Sequence, residues 1–333
     1  MRAAVLVGPQ HVRVEERPQP RPERGEVLVR TGYVGICGSD QARFWGREPL
    51  AAGSVVFGHE CSGRVVALGP GVTTPTVGTR VAVAPLLNCG ECAYCRAGQA
   101  NLCPERRLFG QHVDGALREV MAVPADRAYP LPAQVSDPEG ALVEPLAVAC
   151  HAVRRAGIRP GARALVLGAG AIGLLVAQAW KALSGGPVAV VDLEARRLAV
   201  AAGLGLETWA DEPPGVPVSV LFEATGSAQA FGCWLPSLGT GGRAVVVGKL
   251  GETVPIDWVA LMRKEGEIVT SRYFTLEDFA LALQLMEKGL VSVSPLIGRV
   301  VPFERLEDRE GQSVMEEARQ VIRLLVRMQE GEA

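Results

Sequence analysis

Apolar positions in the first 130 residues come in short runs broken by glycine and proline. AAVLV and EVLVR flank the stiff stretch ERPQPRPERG, and CSGRVVALG, TRVAVAPL and LREVMAVP follow. Such runs predict strands, and their even punctuation predicts an all-β, barrel-like first domain. After Pro138 the texture changes: Leu142–Gly157 reads as a helix, and GARALVLGAGAIGLLVAQAWKALSGGPVAVVDLEARRLAVAAGLG alternates strand, helix, strand, helix. SVLFEATG and GRAVVVG add two buried-strand runs. Strands alternating with helices predict a parallel, doubly wound sheet, so the fold class is α/β with a β-rich half first. The tail reads as an amphipathic helix in TLEDFALALQLMEKG, a strand in GRVVPF and a final helix.

Composition narrows the function. A chain of 333 residues, 48% hydrophobic with mean hydropathy +0.19, is long enough for two domains with their own cores. Its net charge of −2 gives no footprint for nucleic acid or an anionic membrane. The first residues turn charged before any apolar core develops, so no secretory signal is read there. The most apolar stretch, Ala164–Trp180, is interrupted by Gly168, Gly170 and Gly173 and reads poorly as a membrane span. A cytoplasmic protein is expected.

Four of the eight cysteines, Cys89, Cys92, Cys95 and Cys103, follow the spacing C-x2-C-x2-C-x7-C. Disulfides fit a reducing compartment poorly. An iron–sulfur cluster is partly echoed by the spacing and by Cys103-Pro104, but the long last gap and the lack of a second motif weaken it. Zinc accounts for all four thiolates and leaves no open ligand position, so residues 89–103 read as a structural lobe.

Gly168-Ala-Gly170-Ala-Ile172-Gly173 follows the apolar strand ALVL and opens a helix, the context a dinucleotide-binding turn requires. Its glycines let the backbone approach a pyrophosphate, which sits on the helix N-terminus. Asp192 ends the next strand, where a carboxylate binds ribose hydroxyls and repels a 2′-phosphate, favouring NAD. Arg196 and Arg197 pull the other way, because arginine accepts a phosphate.

Cys37-Gly-Ser39-Asp40 and Gly58-His59-Glu60 hold further zinc-ligand residue types in the β-rich half. Taken with the cysteine lobe and the glycine turn, they give the chain a close resemblance to zinc-dependent medium-chain alcohol/polyol dehydrogenases. The shared motifs ICGSD, GHECSGRVVALGPGV, the four-cysteine lobe, EPLAVACHA, LGAGAIG and the Asp192 strand stand in family order from Met1 to about Phe303. The chain is most similar to the sorbitol and galactitol-phosphate dehydrogenases.

The resemblance implies a GroES-like catalytic domain over residues 1–143, a Rossmann NAD-binding domain over 144–270 and a return to the first domain over 271–333. It implies two zinc ions per chain. Cys37 and His59 bind the catalytic one, with Glu60 and Glu144 competing for the remaining protein position. Asp40 orients His59, and Ser39 takes the substrate proton. Gly168, Gly170, Ile172, Gly173, Asp192, Arg197 and Arg272 belong to the cofactor site, Arg272 through an Arg-Tyr pair with Tyr273. Arg43 is left open between a phosphate contact and a surface charge. The expected partner is a small alcohol or polyol, in a homo-oligomer (tetramer or dimer), with no nucleic acid or membrane.

Three departures stand out. Ala42 replaces a histidine that finishes a proton relay in many relatives, which disfavours a threonine dehydrogenase. Ile297-Gly298 replaces a Thr-His pair. Beyond Phe303 the match is poor, and the pocket's C-terminal edge is unassigned. The remaining histidines His11, His112 and His151 read as structural, and Cys61, Cys150 and Cys233 as buried thiols. An NADP-dependent alcohol or aldehyde reductase is the rival enzyme. A non-catalytic nucleotide-binding scaffold is disfavoured, since Cys37, His59 and Glu144 are all present.

Overall fold

The computed structural model describes residues 1–49, 55–210, 216–251 and 253–328. The chain forms two compact units, one comprising Met1–Glu144 and the residues from Leu296 onward, the other Pro145–Pro295.

The first unit is built on β-structure. Its main sheet runs in the order Ala128–Pro130, Arg80–Val83, Glu60–Leu68, Glu26–Gly35, Arg323–Arg327, Ile297–Pro302, with Val120–Pro124 also paired to Glu26–Gly35. Val27, Val29, Val65, Val81, Val83, Met121, Leu324 and Val326 are buried in its core. A smaller sheet joins His11–Glu16, Arg2–Gly8 and Val55–Val56.

Two elements here differ from the sequence reading. HVRVEE is a strand, paired antiparallel with Arg2–Gly8; its charged alternate positions hide it from a search for apolar runs, yet that alternation suits a half-exposed edge. The tail does not end on its helix. Helix Gln312–Gln320 stops at Val321, whose φ of −122° and ψ of 169° are extended, and Arg323–Arg327 then forms a strand between Glu26–Gly35 and Ile297–Pro302. The apolar positions of MEEARQVIRLLVR continue a helical period through Ile322 and Leu325, and only pairing with distant strands separates strand from helix in so short a run.

The second unit contains the parallel sheet the alternating pattern predicts. Its six strands lie in the order Glu207–Trp209, Val188–Val191, Ala164–Leu167, Val218–Glu223, Leu238–Val246, Glu267–Thr270. In chain order that is 3-2-1-4-5-6, the doubly wound arrangement of dinucleotide-binding folds. The strands Ala164–Leu167 and Val188–Val191 are buried at every position, as expected of strands covered on both faces. The edge strands Glu207–Trp209 and Glu267–Thr270 lack a fully buried run and so carry no such signal.

Cys61 and Cys150 are buried, and burial pushes both thiols up to about 12. Cys233 is exposed, contrary to the sequence reading, on the outer face of helix Ala228–Trp234, which turns Phe231 and Trp234 inward instead. His151 accepts its structural role: Nδ1 lies 2.8 Å from Asp278, which also takes Arg154 at 2.9 Å and the N-terminal N–H of helix Leu276–Glu287 through Thr275 at 2.8 Å. No helix among the described residues is long and apolar enough to cross a membrane.

Candidate active site and metal centres

In the lobe, Cys89, Cys92, Cys95 and Cys103 each present a sulfur within 4.8 Å of the others. The sulfurs stand 3.5 Å apart for Cys92–Cys95, 3.6 Å for Cys103–Cys89 and 3.9 Å for Cys89–Cys95. A disulfide would need about 2.0 Å. A tetrahedron with zinc–sulfur bonds of about 2.3 Å has edges of about 3.8 Å, so these sulfurs already stand at the spacing zinc imposes. Asn88 Nδ2 donates to Cys95 Sγ at 3.2 Å, and the Cys95 N–H donates to Cys92 Sγ at 3.4 Å. Burial works against ionisation of Cys95, but the donors and neighbouring thiols bring it down to about 7. The donor set fits a closed structural zinc.

The second cluster is assembled from distant segments. Cys37 precedes helix Gly38–Phe44, whose Asp40 Oδ2 accepts the Cys37 N–H at 3.0 Å. His59 and Glu60 enter strand Glu60–Leu68, where Glu60 pairs with Gly35. A Cβ on Gly35 would lie 2.2 Å from Glu60 Oε2, so the carboxylate needs glycine opposite it. Cys37, His59 and Glu60 each offer a ligand atom within 4.8 Å of the other two. Glu144, in the first turn of helix Val143–Ala156, is close enough to interact with His59 and Glu60 but lies outside that three-residue set.

Electrostatics at this cluster call for a cation. Both carboxylate oxygens of Glu60, Oδ1 of Asp40 and Nδ1 of His59 are buried without a hydrogen-bond partner. His59 Nδ1 and Asp40 Oδ1 are 3.5 Å apart, an ion-pair distance that leaves the other ring nitrogen for a ligand role. Burial disfavours a charged His59, yet Asp40 and Cys37 outweigh it and lift the imidazole well above 6.5. Asp40 is held below 3.8 despite its burial, chiefly by His59. Burial pushes Glu144 up to about 7, reinforced by Glu60 and Asp40. Buried carboxylate oxygens that lack hydrogen bonds are costly, and a divalent ion held with Cys37 and His59 would satisfy them. A Cys–His–carboxylate donor set with Asp40 behind the histidine fits catalytic zinc.

Arg323 is the participant the sequence reading missed. It is 4% exposed, stands 3.3 Å from Glu60 Oε1 through Nη2 and donates to Ile36 O at 2.7 Å. Its charge is felt by Glu60, Cys37 and Glu144. The available signal was an arginine opening the apolar run RLLVR, since a buried charge in a strand has to have a partner.

In the second unit the glycine turn is shaped for a ligand. A Cβ on Gly173 would fall 1.8 Å from Gly168 O, so the helix reaches the strand only through glycine. A Cβ on Gly170 would meet nothing within 4 Å; this glycine is not needed for packing, and the open space beside it suits a pyrophosphate. Asp192 Oδ2 accepts the Ala169 N–H at 2.8 Å and Oδ1 accepts the Glu194 N–H at 2.8 Å, which fixes the carboxylate at the strand end. Arg197 lies 3.0 Å from Glu194 and 3.5 Å from Asp192, and Arg196 lies 2.6 Å from Glu194. Ile172 is half-buried in the first turn of helix Ala171–Ser184, and Arg272 is exposed and stacks on Tyr273 at 4.9 Å. Glu223, also missed, is fully buried and accepts the N–H groups of Thr225 and Gly226 at 2.7 and 2.8 Å, bracing the turn after its strand.

Comparison with known proteins agrees with this geometry. The alcohol dehydrogenase GroES-like domain matches residues 23–133, and the zinc-binding dehydrogenase domain matches residues 171–288. A 2-dehydro-3-deoxy-L-galactonate 5-dehydrogenase of Pseudoalteromonas atlantica is 36% identical over 91% of this chain and 92% of its own. A sorbitol dehydrogenase of Arabidopsis thaliana is 35% identical over 92% and 89%. An Escherichia coli alcohol dehydrogenase solved with NADH superposes with a TM-score of 0.90 at 28% identity, covering 98% and 99%. The chain belongs to the zinc-dependent medium-chain alcohol and polyol dehydrogenases, enzymes of NAD(P)-dependent secondary-alcohol oxidoreduction.

Proposed function

We propose that this enzyme oxidises a secondary hydroxyl of a polyol or polyol derivative with NAD, using one catalytic and one structural zinc. The observation that carries the reading is the set formed by half-buried Cys37 and buried His59 and Glu60, with ligand atoms within 4.8 Å of one another. These three residues would hold the catalytic ion, with Glu144 alternating with Glu60. Zinc bound there supplies Lewis-acid polarisation of the substrate oxygen. Asp40 fixes the imidazole of His59 in the orientation a ligand needs. Ser39, whose Oγ is buried without a partner, takes the proton of the substrate hydroxyl as the hydride departs. Ala42 offers no side chain to carry that proton further. Cys89, Cys92, Cys95 and Cys103 hold the structural ion.

The NAD preference rests on Asp192. Gly168 and Gly173 keep the turn tight against the helix, Gly170 leaves room for the pyrophosphate, Ile172 borders it, and Asp192 accepts the ribose hydroxyls. Arg196 and Arg197 favour a 2′-phosphate less than their sequence suggests, because Glu194 pairs with both. Arg272 completes the nucleotide contacts. A homo-oligomer in the cytoplasm belongs to the same reading, supported by exposed Trp258, Val259 and Met262 on one short helix and by the free state of the cysteines.

The test is oxidation of sorbitol, galactitol, 2,3-butanediol and simple secondary alcohols with NAD and NADP at equal concentration. Reduction of NAD should be faster, and Asp192→Ser should erode that preference roughly tenfold or more while zinc content stays unchanged. Faster reduction of NADP by the wild type would place Arg197, and not Asp192, in control of the cofactor.

A further inference from the structure

Arg43 occupies the last turn of helix Gly38–Phe44. Its Nη1 is buried and has no hydrogen-bond partner among the described residues. Its Nη2 stands 4.0 Å from Glu48, the outer limit of an ion pair, and the side chain is 13% exposed. Side chains three and four apart on a helix share a face, and they lean toward the N-terminus. Arg43 therefore lies on the face that carries Ser39 and Asp40. Its charge reaches Asp40.

A guanidinium presents five N–H donors in a planar fork, and a terminal nitrogen left dry and unpaired is costly unless a ligand takes it. The hydroxyls of a neutral polyol require no such cation. We propose that Arg43 binds an anionic group of the substrate, so that the enzyme acts on polyols bearing a carboxylate or phosphate, such as aldonates or polyol phosphates. The fork suits either anion, because both accept two parallel N–H bonds. The inference rests on the dehydrogenase reading above and narrows its substrate. The anionic group takes no part in the chemistry: the reacting carbon gives its hydride to NAD and the hydroxyl its proton to Ser39, leaving a ketone.

The test compares kcat and KM of the zinc-loaded enzyme with NAD across three arms: sorbitol and galactitol, gluconate and galactonate, and sorbitol 6-phosphate and galactitol 1-phosphate. One anionic arm should exceed the neutral arm at least about tenfold in kcat/KM, chiefly through KM. Which arm does so distinguishes carboxylate from phosphate. Arg43→Met keeps the stem and removes the fork, and should lower the anionic-to-neutral ratio roughly 10- to 100-fold; Arg43→Lys should lower it less. If Arg43→Met does not fold, the KM of the wild type for the anionic substrate should rise with potassium chloride while that for the neutral polyol stays flat. A wild type that oxidises neutral polyols as well as anionic ones, or a ratio unmoved by Arg43→Met, overturns the role of Arg43 and leaves the dehydrogenase reading intact. Oxidation of simple alcohols with none of the three arms turned over overturns the polyol reading itself.

Discussion

The cysteine lobe and the cluster around His59 are both suited to zinc, yet they are built in opposite ways. All four donors of the lobe lie within residues 89–103, Cys89, Cys92 and Cys95 half-buried and Cys103 buried, with sulfurs as their neighbours. The donors around His59 come from separate segments and meet on the main sheet of the first unit, where His59 and Glu60 are buried among charges of both signs and Cys37 is half-buried. A site made of four thiolates in one short segment closes on its metal and leaves nothing to react. A site made of few donors on separate elements can keep a ligand position open, and needs its surroundings to hold those donors apart.

The largest effect that separates the two clusters should come from Cys37→Ser. Losing this donor should lower polyol turnover by about a thousandfold or more and leave NAD binding close to wild type, since the glycine turn belongs to the other unit. Turnover measured alongside an NAD titration checks this. A Cys37→Ser enzyme of near-normal turnover would break the contrast.

Arg323 sharpens the comparison, because it ties a carboxylate of the deep cluster to a strand from the far end of the chain. Arg323→Met leaves the fully buried Glu60 without its ion-pair partner, a change that costs about 3–5 kcal/mol in comparable buried pairs. Zinc affinity at the deep site should fall roughly 10- to 100-fold, as it does when groups that orient ligands are lost. The affinity of the lobe should not move. Competition with a chromogenic chelator reads both sites, and urea unfolding reads the stability; adding Glu60→Gln to Arg323→Met should recover part of the stability.

A smaller effect belongs to neither cluster and serves as a control. Asp278 is fully buried, and although burial alone would raise its pKa, His151 and Thr275 hold it below 3.8. A carboxylate with a depressed folded-state pKa stabilises above its unfolded value, and that stability is lost as pH falls through the lower folded-state value. Asp278→Asn should therefore destabilise the protein by about 1 kcal/mol or somewhat more near neutrality, with the difference from wild type shrinking below about pH 4. Urea midpoints of both proteins from pH 2.5 to 7 check it; a difference that grows toward acid pH would contradict the assignment.

The contrast also explains what was legible in the sequence. The lobe is visible because its donors share one segment and spacing alone groups them. The doubly wound sheet is visible because its central strands are uniformly apolar and lie between helical patterns. Cys37 and His59 are weak signals singly, and only the order of motifs along the chain joins them. Arg323 was hidden because its role depends on the last described strand pairing with Glu26–Gly35, a contact almost three hundred residues away in sequence. The strand HVRVEE and the exposed Cys233 were misread for a related reason: what neighbours an edge strand or a helix face is fixed by packing, not by local pattern.

The most direct test of the division of labour is zinc per chain and polyol turnover measured on the same preparations of His59→Ala and Cys92→Ser. Each variant should carry one zinc fewer than the wild type. His59→Ala should remain folded and bind NAD but turn over at least about a thousandfold more slowly, whereas Cys92→Ser should be less stable to heat while its folded fraction keeps most of its turnover. The reverse pattern, an active His59→Ala and a folded but inactive Cys92→Ser, would contradict the account and move the chemistry to the cysteine lobe.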